Sequence, residues 1–427
     1  MRNPGNMLRA AVLVLGITAV ISSAVAFDYR DGSAVRDRGG DLASLYAFVP
    51  NVGGEVGPLT VALTIKPYAL SVAEVGKDTE YSIRIRAAGL AGSGERLRTK
   101  LGAAELAITC NYFDHDYQIG CIASHISADG STRVLGAVSG DLGDVMTAPG
   151  MRAMSALRSD PLLINFHATL NCLEDDEVEF LGLDDAFKRR VHPKFRNSIE
   201  HKKMNVVGLV IEVNRSWLPQ EAGLPLIAVA AQSVDVANDG TRTPLDRIGR
   251  TGTSTFLIQD DEARNGWNAT DPYDVAGATA FRAEMQRGLT AVDSHSRRAY
   301  WAWPHPLLEL LLSDHLLLNP NVPVAAIDAS RNNYFELEWA AYTGRSLNGL
   351  AGGRRPIDNS ISRFFAVMAR QAGRHFAQLE ALKHPLYRQT HAAFPYLAAP
   401  YEKPDTLFSR TIEELNPRSP TIRGCVN

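Results

Sequence analysis

The chain has 427 residues, is 45% hydrophobic and 21% charged, and carries a formal net charge of −3. That length and apolar share allow a sizeable buried core, in two modest domains or one large one with insertions. The near-neutral balance excludes the basic footprint of a nucleic-acid-binding surface.

The first element is a targeting segment. Arg2 and Arg9 form a positive n-region, Ala10 to Ile21 is an almost unbroken apolar run, and Ala24-Val25-Ala26 is a small-x-small cleavage site. This is the layout of a cleaved signal peptide over residues 1–26, and it predicts an exported protein, periplasmic or extracellular. Retention as an anchor is the alternative, but the run is short for a hydrocarbon layer of ~30 Å. No twin arginine and no cysteine at the cleavage site mark another export route or a lipid anchor. Downstream, Leu307 to Leu318 is the most apolar stretch, and Glu309, Ser313, Asp314 and His315 interrupt it. No transmembrane segment is expected after cleavage.

Residues 27–260 read mainly as strands. Leu59 to Ile65 and Tyr81 to Arg86 are short β-rich runs, and the second alternates apolar and polar, as a half-buried strand does. Similar runs follow at Leu106 to Phe113, Gln118 to Ile126, Thr132 to Val138, Pro161 to Thr169, Met204 to Val213 and Leu226 to Val234. Short strands punctuated by Gly, Pro, Asn and Asp predict a β-sandwich, jelly-roll-like. Cys110 and Cys121 flank a hairpin with its tip near Asp114-His115-Asp116. In an exported chain the four cysteines favour disulfides, here Cys110 with Cys121 and Cys172 with Cys425. Two free buried thiols are the alternative for the second pair. The spacings match no zinc site.

A charged insertion near 174–203 interrupts the strands. Glu174 to Asp185 holds seven acidic residues, and Lys188 to Lys203 holds seven Lys/Arg. It reads as a self-paired, solvated loop with a short helix rather than an interaction patch. Residues 261–427 change texture. Ala278 to Leu289, His305 to Leu317 and Ser360 to Leu382 are helical by length and spacing. Gly349 to Pro356 is a loop rich in Gly and Arg, and the chain from Pro385 onward is irregular. This region is expected to pack against the sandwich.

Several blocks stand in order along the chain. They are Asp28-Tyr29-Arg30-Asp31-Gly32 with Asp41 to Phe48, and Arg158-Ser159-Asp160-Pro161-Leu162-Leu163. Next come Asn205-Val206 through Glu212-Val213 to Leu218, and Asp246-Arg247-Ile248-Gly249-Arg250. The last two are Gly353-Arg354-Arg355-Pro356-Ile357-Asp358 and Phe394-Pro395-Tyr396-Leu397 to Pro400. Taken together, in this order across most of the mature chain, they resemble the bacterial exported family of domain of unknown function 4331. The family has no settled activity, so the resemblance implies an exported protein without naming its chemistry. Tyr29 stands where members have His, and Ser44, Asn359 and Ser362 stand at acidic positions. A metal held there in the family would have lost ligands in this chain.

Candidate chemistry is sparse. Asp28, Asp31 and Asp41 could supply oxygen ligands to a hard cation such as Ca²⁺, or simply cap turns and pair with Arg30, Arg36 or Arg38. Asp246, Arg247 and Arg250 precede a strand-like Thr253 to Ile258. Such forks either lock loops to carboxylates or bind an anionic ligand. The histidines at 115, 125, 167, 295, 305 and 315 make no HExxH, and read as surface or satisfied core residues. No Gly-x-Ser-x-Gly nucleophile motif appears. Trp301 and Trp303 lie in an aromatic run that could stack on a sugar or pack on the sheet.

The leading expectation is a non-catalytic, exported binding or surface-associated sandwich. Its ligand would sit near Trp301, Trp303, Arg354, Tyr396, Arg247 and Arg250. The partner would be a small molecule, a glycan or an envelope protein. Alternatives are a metal-assisted hydrolase or lyase using the acidic clusters, and a structural interaction module.

Overall fold

The computed structural model describes residues 39–113, 118–161, 204–258, 260–294, 305–328, 330–368 and 390–404. The signal segment, Asp28, Asp31, the charged insertion, Trp301, Trp303 and the Cys172–Cys425 pairing lie outside the described residues.

In chain order the strands are β1 (Leu42–Phe48), β2 (Asn51–Val52), β3 (Glu55–Val56), β4 (Leu59–Ile65) and β5 (Thr79–Ala91). Then come β6 (Arg98–Phe113), β7 (Gln118–Ile126), β8 (Thr132–Asp141), β9 (Met146–Ala148) and β10 (Met151–Ser159). The series ends with β11 (Asn205–Val213), β12 (Leu226–Val236), β13 (Arg242–Ile248) and β14 (Leu316–Leu318). A five-stranded antiparallel sheet runs β1-β4-β11-β10-β9, and a seven-stranded one runs β13-β12-β5-β6-β7-β8, with β14 on β12. β2 and β3 make a separate ribbon.

The two large sheets share one core. Leu45, Leu63 and Leu209 of the first join Ile85, Ile108 and Val229 of the second in a single fully buried cluster. The first sheet is also covered behind: Tyr46, Ala62 and Val210 pack under Val324, Tyr396 and Leu397. Two-sided burial explains the sequence of β1, β4 and β11, which is apolar at nearly every position instead of alternating. On the second sheet Ala88 and Ala228 pack under Tyr273, Leu317 and Leu337. β8 carries no such cover and is mostly exposed.

Cys110 and Cys121 face each other across β6 and β7 and are joined by a disulfide. It closes a loop of sequence separation 11, for which the chain-entropy account gives roughly 3 kcal/mol.

The C-terminal region is built onto this frame. Its helices are Thr253–Leu257, Asp261–Asn268, Val275–Ala278, Arg282–Ser294, Leu308–Leu312, Glu336–Tyr342 and Ser360–Met368. Asp260 caps the second of these, accepting from the Ala263 amide at 2.8 Å. Two expectations are corrected. Thr253 to Ile258 is a helix, not a strand: Gly252, at φ +94°, turns the chain out of β13, and Phe256 then packs on Phe364 at 5.5 Å. The helix expected over His305 to Leu317 stops at Leu312. Leu316 to Leu318 become β14 because β12 beyond the β13 ladder has unmatched backbone groups, and Ile227↔Leu318 to Val229↔Leu316 supply them. Among the described residues no helix is long and apolar enough to cross a membrane.

Candidate functional site

The arginine motifs converge on the joint between the sandwich and the helices. Asp246, at the end of β13, accepts the Leu42 amide at 2.8 Å and so clips β13 to the start of β1. Arg250 donates through Nε to Glu338 at 3.1 Å and through Nη1 to the Leu310 carbonyl at 3.2 Å. The Asp314 carboxylate accepts the Arg250 amide at 2.9 Å. Arg354 reaches from the Gly-Arg loop to the Leu45 carbonyl, the Thr251 hydroxyl and the Tyr46 hydroxyl, with its guanidinium 4.1 Å above the Tyr46 ring. Arg355 holds Asp358 and the Ala325 carbonyl. Arg250, Arg354 and Arg355 are each 1% exposed.

Arg247 lies beside them, 4.1 Å over the Trp267 ring, with one bond to the Asp271 carbonyl. Burial pushes its pKa down, and Asp314, Asp271, Asp246 and Asp274 pull it back up. His315 stacks on Tyr273 at 4.5 Å. Burial and the nearby Arg250 and Arg247 hold its pKa well below the ordinary imidazole value. This joint is a set of internal ion pairs and forks. Arg250, Arg354 and Arg355 donate to the chain's own carbonyls, hydroxyls and carboxylates, while among the described residues Arg247 Nε and Nη2 and Arg354 Nε are buried without a hydrogen-bond acceptor.

Tyr396 belongs to a C-terminal strap on the outer face of the first sheet. Asn205 and Tyr401 exchange two hydrogen bonds, at 3.0 and 2.8 Å, to fasten it. The Tyr396 hydroxyl donates to Glu212 Oε1 at 3.0 Å, where the Thr60 hydroxyl also donates at 3.2 Å. Arg152 pairs with the other Glu212 oxygen and lies 4.4 Å from the Phe394 ring. Burial and the adjacent Glu212 carboxylate raise the Tyr396 pKa.

Asp41 is 8% exposed. Among the described residues no three of His, Cys, Asp and Glu come together in a way that could hold a metal ion.

Away from the arginine joint lies an opening the sequence did not single out, and of the groups above only Glu212 and Arg152 line it. One end of the sandwich holds a cleft of about 1010 Å³. Its floor is the end of the shared core: Met151, Val213, Leu218 and Ile227 line it and are at most 6% exposed. Its walls include Val52 and Val56 of the β2–β3 ribbon, and Pro58, Pro219 and Pro320. Its rim is polar, with Glu55, Gln220, Glu221, Arg215 and Asn321. Glu212 and Arg152 line it as well, so Tyr396 stands one hydrogen bond behind a cleft residue. Arg215 is held by the Pro320 carbonyl at 3.2 Å and Asn321 Oδ1 at 3.3 Å. Glu221 accepts the Ala103 amide at 3.2 Å. Gly150 keeps one side of the cleft in shape: at φ +80° it passes so close to Trp217 that a Cβ would lie 2.4 Å from the ring.

Of the residues singled out from sequence, the structure brings Arg247, Arg250 and Arg354 into one joint, and puts Tyr396 behind the cleft. The cleft residues themselves come from four separate segments, 52–58, 147–152, 212–227 and 320–321. The one legible sign of them is Asn214-Arg215-Ser216-Trp217-Leu218-Pro219, a turn in which Asn214 caps a short 3₁₀ turn by accepting the Ser216 amide at 2.9 Å. Neither a family model, nor a curated protein, nor a solved structure matches this chain.

Proposed function

We propose that this is an exported, non-catalytic binding protein whose ligand occupies the end cleft. The observation that carries the reading is the cleft itself: about 1010 Å³, floored by core side chains and rimmed by polar ones. That is the size and make-up of a ligand site, at the upper end of the usual ~300–1,000 Å³. The disulfide across β6 and β7 suits an oxidising compartment, and the N-terminal signal layout agrees with it.

Kinship with the domain of unknown function 4331 family belongs to the same proposal. Three of the resembling blocks supply the structural locks: Asp246 to Arg250, Arg354 to Asp358, and the strap around Tyr396. Residues that bolt two halves of a fold together are the kind that relatives keep in common while their ligands differ.

The test is a cleft-blocking variant. Ala148 is half-buried on the cleft wall, and Ala148→Trp places an indole in the opening and narrows it. Ligand-observed NMR against a panel of sugars, peptides and small metabolites would find binders to the purified protein. The expected result is at least one binder that Ala148→Trp weakens about tenfold or more at an unchanged melting temperature. Binders indifferent to this substitution, with every ligand mapping elsewhere, would overturn the reading.

A further inference from the structure

Resting on that reading, we propose that the occupant of the end cleft is an extended peptide segment carrying basic side chains.

Three features of the lining point to it. First, no aromatic residue is among the cleft's lining residues. A sugar ring is ordinarily held on an aromatic face, and the walls offer Val52, Val56, Leu224 and four prolines instead. These are apolar facets of the size of single aliphatic side chains. Second, β3 and β9 both line the cleft and each is the terminal strand of its sheet. A terminal strand carries backbone N–H and C=O groups on its outer side that belong to no ladder, and an extended chain can pair with them. A peptide reading such an edge turns alternate side chains to the apolar walls and the rest to the rim.

The third feature is the charge at the rim. Arg152 is committed to Glu212, and Arg215 to the Pro320 carbonyl and Asn321. Glu55 and Glu221 form no ion pair among the described residues, and both are exposed. The lining thus carries three carboxylates, Glu55, Glu212 and Glu221, against two guanidiniums, Arg152 and Arg215, an excess of one negative charge placed at the rim, and complementary charge on the ligand gives register and excludes acidic competitors.

The probes are acetyl-Val-Lys-Val-Lys-Val-amide and the same peptide with Glu in place of Lys, titrated calorimetrically into the purified protein. The Lys peptide is expected to bind about tenfold more tightly than the Glu peptide, with the gap shrinking at high salt. The double variant Glu55→Gln, Glu221→Gln should lose most of that preference while keeping its melting temperature, since both groups are exposed. Methylating alternate amides of the Lys peptide should abolish binding in one register and spare it in the other. Equal affinity for the two charges, or tolerance of methylation in both registers, would overturn the proposal. So would failure of both peptides. If both fail while another ligand still binds and Ala148→Trp expels it, the binding cleft stands and only the peptide assignment falls. If Ala148→Trp expels nothing, the cleft reading falls with it.

Discussion

Glu338 shows what the buried charges do. It is 3% exposed and receives the Arg250 guanidinium at 3.1 Å, while Arg250 itself is 1% exposed. Such a pair gains little over an apolar one of the same shape, but removing one member strands the other. Glu338→Gln should therefore cost about 3–5 kcal/mol, read as a fall in the denaturation midpoint at unchanged slope. Histidine burial adds a pH dependence. His305 is held at about 4, against an ordinary 6.5, because burial disfavours its charged form. His315 is depressed by burial and by the arginines beside it. Both are neutral in the fold, and the unfolded chain binds their protons more readily. The contribution of His305 is complete above about pH 6.5 and is lost as the pH falls towards and through 4, and that of His315 is lost in the same direction as the pH falls. Denaturation midpoints measured from pH 8 to 4 should fall below pH 6.5, and His305→Gln should flatten part of that fall. The arginine residue types and their counter-charges were legible in sequence. Their partners were not, because Arg250 meets Glu338 across 88 positions and Arg354 meets Leu45 across 309.

At the scale of elements, Gly249 is the most tightly enclosed of the described glycines. A Cβ built on it would lie 1.7 Å from the Asp314 carbonyl oxygen, so β13 and the segment before β14 approach as only glycine permits. Gly249→Ala should leave little soluble, folded protein, whereas Gly240→Ala, with open space around its Cβ, should be recovered folded at a modest cost for its φ of +83°. Circular dichroism of the soluble fraction decides between them. Strands were the most readable elements. Leu59–Ile65 and Gln118–Ile126 have the bounds their patterns suggest, since alternating or continuous β-branched runs carry their own period. β14 was unreadable for the opposite reason. Leu-Leu-Leu after an apolar helix has no local preference that outweighs the edge of β12 waiting for a partner.

For the molecule as a whole, the strap decides how the first sheet faces the world. Tyr396 and Leu397 cover Tyr46, Ala62 and Val210, and the Ala398 carbonyl accepts the Ser159 amide at 3.2 Å. Deleting residues 390–404 uncovers that apolar face, and large uncovered faces drive association. The shortened protein should elute as aggregate in size-exclusion chromatography while the full chain does not. The double change Tyr396→Phe, Thr60→Val is the milder version: it strips both hydroxyls from Glu212 Oε1 without uncovering the sheet.

The sequence by itself determined the strand-rich class, the pairing of Cys110 with Cys121 and the charged blocks at Asp246 to Arg250 and Arg354 to Asp358. These rest on composition, short-range period and small sequence separations. The tertiary structure decided what the blocks are for. They close a joint, because a charge taken out of water needs a partner, and for Arg250 that partner is Glu338, 88 positions away. It also assembled the cleft, from strand ends and turns that lie far apart in the chain, at one end of the shared core.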